Sequence, residues 1–281
     1  MMSKSSKTLL AIAALLAVVG TAKAEINISG NPVGDSFTND GTITGGATVD
    51  GSSQIINNAS ADTILLYNSG AAENAGNVET LMAFDNATVN NSGTIGQASA
   101  SSGASFTNSS GGQIDSLTWA STGTFDGAEG SIGTLRIAGT TPGDGSNFGT
   151  VENLVFSSWY GNYATIDITG TYNAETGSYD FDGITAANVD LTYGTINVTL
   201  EGNPGDDTSF SLSDVFGGAA VENAADSLVN IGGDVTWSGS LASGQTGWTI
   251  SGGGITAVPE PASLSILTLA AGAMLYRRSK R

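Results

Sequence analysis

The chain has 281 residues, with no histidine, no cysteine, 26 acidic residues and 8 basic ones, for a formal charge of −18. Those counts exclude a Ser-His-Asp or Cys-His nucleophilic centre, a disulfide framework and an ordinary zinc site. Seven of the eight basic residues crowd the two ends, so residues 25–258 keep only Arg136 against 25 acids, a charge of −24 that repels nucleic-acid phosphates and anionic headgroups.

In chain order, residues 1–24 read as a secretory signal peptide with a short signal helix. Lys4 and Lys7 supply the positive start, and Leu9 to Val19 is an apolar run of 11 residues. That run is well short of the ~20 residues a spanning helix needs. Ala22-Lys23-Ala24 gives the small-x-small cleavage site, which predicts a mature start at Glu25.

Residues 25–163 carry an internal repeat. Gly76-Asn77-Val78, Gly93-Thr94-Ile95, Gly112-Gln113-Ile114, Gly130-Ser131-Ile132 and Gly149-Thr150-Val151 recur with glycines 17, 19, 18 and 19 residues apart, and Gly41-Thr42-Ile43 is a weaker copy. Phe37-Thr38-Asn39, Val89-Asn90-Asn91 and Phe106-Thr107-Asn108 precede such phrases. Alternation as in Leu117-Thr118-Trp119 is the period of a strand, while the step of three from Ile114 to Leu117 flips the parity and marks a bend. Strand, bend and strand recurring at this period predict an all-β fold, a β-solenoid (parallel β-helix) of six or seven coils. Apolar residues would stack inside, and glycine and asparagine would occupy corners with φ > 0.

Residues 164–256 change texture and read as a β-rich C-terminal module. Ile166 to Phe181 predicts a hairpin with Gly177 in the left-handed region. Val189 to Leu200 predicts a second strand pair broken at Gly194, and a short helix is expected near 214–229. The pattern leaves open whether this module caps the solenoid or stands as a separate sandwich.

Residues 257–281 have three parts: Pro259-Glu260-Pro261, a mostly apolar run over 262–276, and the basic stop Arg277, Arg278, Lys280 and Arg281. The run predicts a transmembrane helix of about 22 Å, short for a ~30 Å hydrocarbon core, with the basic cluster on the cytoplasmic side and the body outside. This tail resembles the PEP-CTERM sorting signal of exported bacterial proteins, and the body is similar to autotransporter-like surface β-helices. The resemblance implies transient membrane insertion through the C-terminal helix and cutting near Pro259-Glu260-Pro261 by an exosortase, a membrane cysteine protease. Signal peptidase would cut the other end. The chain is then the processed substrate, released to the cell surface or extracellular matrix.

Candidate chemistry is sparse. A lyase acting on uronates needs cationic neutralisation, and Arg136 is the one side chain on offer in the body. Asp180 and Asp182 would present two carboxylates on one strand face, the minimal equipment for glycoside hydrolysis. Asp144 to Asn147 and Gly205 to Asp207 are oxygen-rich loops without the spacing of a calcium-binding motif, and turns account for them. The leading expectation is therefore a non-catalytic exported protein with no catalytic, cofactor or metal residues. Diffuse divalent-cation binding would bridge it to anionic exopolysaccharide. The alternatives are an adhesin that stacks sugars on Trp119, Trp159 or Trp248, and a β-helix polysaccharide-cleaving enzyme.

Overall fold

The computed structural model describes residues 24–29, 36–127, 129–139, 142–143, 146–158, 162–182, 184–202, 208–224, 227–233, 235–240, 245–251 and 254–259. The signal segment before Ala24, the helix expected over 262–276 and the basic stop lie outside them.

The repeat folds as a β-solenoid. Its first sheet has eleven strands: β1 (Ala24–Ser29), β3 (Thr42–Ile43), β4 (Gly45–Asp50), β6 (Ser60–Leu66), β8 (Asn77–Ala83), β10 (Thr94–Ser101), β12 (Gln113–Ala120), β14 (Ser131–Ala138), β15 (Gly149–Ser157), β18 (Ile184–Asp190) and β21 (Ala220–Glu222). The second sheet has six: β2 (Ser36–Asn39), β5 (Gln54–Asn57), β7 (Ala71–Asn74), β9 (Thr88–Asn91), β11 (Ser105–Asn108) and β13 (Phe125–Asp126). Every pairing in these two sheets is parallel, so each circuit of the chain lays one strand on each sheet directly above the last.

Register places like on like. Leu81, Ala98, Leu117, Leu135, Leu154 and Val189 form one inward column, and Val78, Ile95, Ile114, Ile132 and Val151 form another. The expected bend appears as two consecutive residues that both miss the interior, Asp115 and Ser116 in β12 and Gly133 and Thr134 in β14. The weak first copy also has its reason. One extra residue separates the pairs Ile43–Ala61 and Ala47–Ile64, and Gly45 at φ 107° takes up the slack while its N–H donates to Asp62 Oδ2 at 2.9 Å.

Two expectations about corner residues need correction. Asn39, Asn57, Asn74, Asn91 and Asn108 lie at the ends of second-sheet strands, outside the left-handed region, and are 5, 0, 2, 0 and 1% exposed. They are a core element. The Nδ2 of each of the first four donates to the Oδ1 of the asparagine one coil on, at 2.6, 2.7, 2.8 and 2.8 Å, and Asn108 Nδ2 donates to the Gly112 and Ser131 carbonyls. Gly76, Gly93, Gly112 and Gly130 of the repeated phrase also keep ordinary φ and are required by close approach instead, whereas Gly41 in the weak first copy has open space around it. A Cβ on Gly93 would lie 2.7 Å from the Ala75 carbonyl carbon, and one on Gly112 would lie 2.6 Å from the Asn91 carbonyl oxygen. Glycine and asparagine do take the left-handed region at other corner positions, Gly51, Asn68, Gly103 and Gly111, and Asp85 and Ser102 share it with φ of 56 and 54°.

Past coil five the filling changes. The position after Asn108 in the ladder is Gly127, and the interior is occupied by parallel rings, Phe106 to Phe125 at 6.3 Å and Phe125 to Phe148 at 4.8 Å. Trp119 meets all three edge-on at 5.5–6.0 Å. Offset and edge-to-face pairs are the favourable arrangements for such quadrupoles.

The first sheet runs without a break through the sequence boundary at 163/164, because β15 pairs with β18 and β18 with β21. What changes is the circuit. Side chains hydrogen-bonded across adjacent coils are now 30, 33 and 35 residues apart rather than 17 or 18. A third sheet replaces the second: β16 (Ala164–Asn173), β19 (Gly194–Glu201) and β22 (Leu228–Gly233) are parallel, flanked by antiparallel β17 (Ser178–Phe181) and β23 (Trp237–Gly239). The β16–β17 hairpin is as expected, with Gly177 at φ 71°. The expected second strand pair does not form. β18 and β19 enter different sheets, since in a solenoid consecutive strands are separated by a corner and each pairs with the next coil.

The expected helix is a single turn, α1 (Leu212–Val215), capped by Ser211 and Asp214. A fourth sheet, β20 (Thr208–Ser211), β24 (Gln245–Ser251) and β25 (Gly254–Pro259), is antiparallel. It packs Phe210 and Trp248 against Tyr179, Phe181 and Trp237 of the third sheet at 5.3–6.1 Å between neighbouring rings. All of these side chains belong to or pack against one buried cluster that runs the length of the described fold. The last strand of the first sheet is three residues long, which blunts an edge that would otherwise pair with another chain.

Candidate functional site

The two sequence-predicted processing points sit at the ends of the described strands. Ala24 opens β1 opposite Gly45, and Glu25 follows opposite Gly46. Pro259 closes β25, an edge strand, opposite Gln245. A proline there removes no ladder hydrogen bond from a second neighbour. Ala22, Glu260, Pro261, Arg277, Arg278, Lys280 and Arg281 lie outside the described residues. Among the described residues no helix is long and apolar enough to cross a membrane.

Two of the three tryptophans singled out for sugar stacking are closed to a ligand. Trp119 and Trp248 are both fully buried, each at the centre of an aromatic cluster, and Trp159 lies outside the described residues. An inward strand position in a solenoid faces the core, so alternation alone already assigned Trp119 there.

The candidate catalytic groups are scattered. Arg136 is exposed on the outer face of β14. Asp180 is exposed on β17 and accepts from Asn173 Nδ2 at 3.0 Å, whereas Asp182 falls beyond the end of that strand. Asp144, Gly145 and Gly205 to Asp207 lie outside the described residues, and Asn147 Oδ1 accepts from Gly149 N–H in an ordinary turn. Among the described residues there is no group of three acidic side chains placed to hold a metal ion. A shallow groove of about 200 Å³ runs beside the asparagine ladder, lined by Ile56, Glu73, Asn90 and Ser109 among others.

One carboxylate is held in an ordered setting. Asp190 Oδ1 accepts from Thr192 N–H at 3.0 Å, Thr192 Oγ1 at 2.7 Å and Asn223 Nδ2 at 2.8 Å. Partial burial pushes its pKa up, but the bonds from Asn223 and Thr192, together with the field of Arg136, outweigh this and leave it below the ordinary carboxylate value.

Beside that carboxylate, sequence reasoning missed an exposed pair. Tyr163 and Tyr193 are 58 and 50% exposed, with ring centroids 5.8 Å apart and planes within 9°. A second, less exposed pair is Tyr67, 36% exposed, with the half-buried Phe84, at 5.0 Å and 10°, beside the exposed Met82. Alternation does not flag these residues as a surface: it carries Tyr193 into the strand pair expected over Val189 to Leu200, whereas the structure places it in a corner.

Comparison with protein-family models, curated proteins and solved structures returned no match to this chain.

Proposed function

We propose that the chain is an exported, non-catalytic cell-surface or extracellular-matrix protein, processed by signal peptidase at one end and by an exosortase-type sorting system at the other. The observation that carries this reading is the pair of terminal signals around a self-contained rod. The asparagine ladder and the aromatic clusters lie between the two expected cuts, so cleavage leaves them whole. The −24 charge of residues 25–258 adds to it, since such a surface stays soluble outside the cell and attracts divalent cations that would bridge it to anionic exopolysaccharide.

The test is a replacement of Pro259, Glu260 and Pro261 by serine in the host, followed by fractionation. The expected result is accumulation in the membrane fraction and loss from the surface and medium. An unchanged distribution contradicts the sorting role.

A further inference from the structure

The two aromatic pairs, each with at least one exposed ring, share one edge of the rod. Tyr67 and Phe84 directly follow β6 and β8, at the corner where first-sheet strands end. Counting on through the register from Leu66, Ala83, Ala100, Trp119, Ile137 and Phe156 brings Leu191 to the same corner, and Tyr193 to the place of Asn68, Asp85 and Ser102. β8 and β18 are five strand intervals apart on the sheet, roughly 24 Å at ~4.8 Å each. Two aromatic pairs thus stand in line along the rod axis, with small polar residues such as Ser101, Ser102 and Thr122 on the corner between them.

Tyr193 is also in the wrong conformation for its type. Its φ is 62°, a region that asparagine, aspartate and serine fill in the other coils and that a bulky side chain avoids. The corner is locked around it. Gly194 N–H donates to the Leu191 carbonyl at 2.9 Å, Asp190 holds Thr192 at two points, and a Cβ on Gly194 would sit 3.1 Å from the Phe156 ring. The half-exposed ring, held where a glycine would carry no strain, stacks on Tyr163 and leaves the rest of its surface open to a ligand.

We infer that Tyr163 with Tyr193 and Tyr67 with Phe84 are two platforms of one site that binds an extended neutral polysaccharide along this corner. Aromatic faces stack on the apolar C–H faces of pyranose rings, while Thr192, Asn223 and the corner serines offer hydrogen bonds to hydroxyls. The charges on this edge are Asp50, Asp85 and Asp190 against Arg136, an excess of acid that disfavours a polyanion. The proposal extends the surface-protein reading by naming a partner class. It is measured on purified protein, so it stands or fails independently of the sorting signal.

The experiment is affinity electrophoresis of the full chain through gels containing dextran, galactomannan or hydroxyethyl cellulose, with alginate plus calcium as the anionic control. At least one neutral polymer is expected to retard the chain, and Tyr193→Gly with Tyr163→Ala to weaken that by about tenfold or more, the loss of one stacking contact. Tyr193→Gly alone relieves the left-handed strain and is expected to keep or raise the thermal midpoint, so its loss of binding is not unfolding. Tyr67→Ser is expected to weaken binding of long polymer but not of a short oligosaccharide held at the other platform. Retardation by none of the neutral polymers, by alginate with calcium alone, or equally for wild type and the double variant overturns the proposal.

Discussion

Replacing Asn74 by leucine isolates what the asparagine ladder contributes, because the two side chains are similar in shape and differ in their polar atoms. Asn74 Oδ1 accepts from Asn57 at 2.7 Å, and its Nδ2 donates to Asn91 Oδ1 at 2.8 Å and to the Thr94 carbonyl at 3.3 Å. After the change, the Asn57 amide keeps the Ala59 carbonyl at 3.2 Å, but Asn91 Oδ1 loses its ladder donor inside a fully buried site. One net hydrogen bond at about 1 kcal/mol and one stranded buried acceptor at about 1–3 kcal/mol give a loss of about 2–4 kcal/mol. Asn90→Leu, next to the ladder's Asn91 but on the exposed face, is expected to stay within about 0.5 kcal/mol. Urea unfolding followed through the buried Trp119 and Trp248 measures both. Equal midpoints for Asn74→Leu and Asn90→Leu would refute the assignment of the ladder as a stabilising core element.

Gly93→Ala is expected to destabilise by about 1–3 kcal/mol, because its Cβ meets backbone of the preceding coil, whereas Gly41→Ala has open space and is expected to be neutral or slightly stabilising. Thermal midpoints of the two variants decide it, and similar values would contradict close approach as the reason for the repeated glycine. The lowered pKa of Asp190 means that its contribution is present above the unfolded carboxylate value near ~4 and is lost as pH falls through the lower folded value. The stability difference between wild type and Asp190→Asn should therefore be constant above about pH 5 and shrink below about pH 4. A difference that stays flat down to pH 2 contradicts the hydrogen-bonded carboxylate.

The solenoid was legible because parallel stacking repeats its demands at a fixed interval. Gly76, Gly93, Gly112 and Gly130 mark one corner, and Ile95, Ile114 and Ile132 one inward column, so a 17–19-residue period follows from their spacing in the sequence. The asparagine ladder was visible as the ends of Phe37-Thr38-Asn39 and Phe106-Thr107-Asn108, yet its role was not. Asparagine is a common left-handed corner residue, and only the register shows amides facing amides at hydrogen-bond distance. The continuation of the first sheet beyond residue 163 was hidden because the circuit lengthens to 30–35 residues, which breaks the period while preserving the pairing of Leu154 with Val189. The aromatic corner was illegible for a related reason. Tyr67 and Tyr193 lie far apart in sequence and meet the same edge only through the pairings of the strands between them.

The most direct test of the account is the intact mass of the protein recovered from the surface or medium of its own host. A single species that begins at Glu25 and lacks residues 262–281 is the predicted result. A recovered chain that still begins at Met1, or still ends at Arg281, contradicts it.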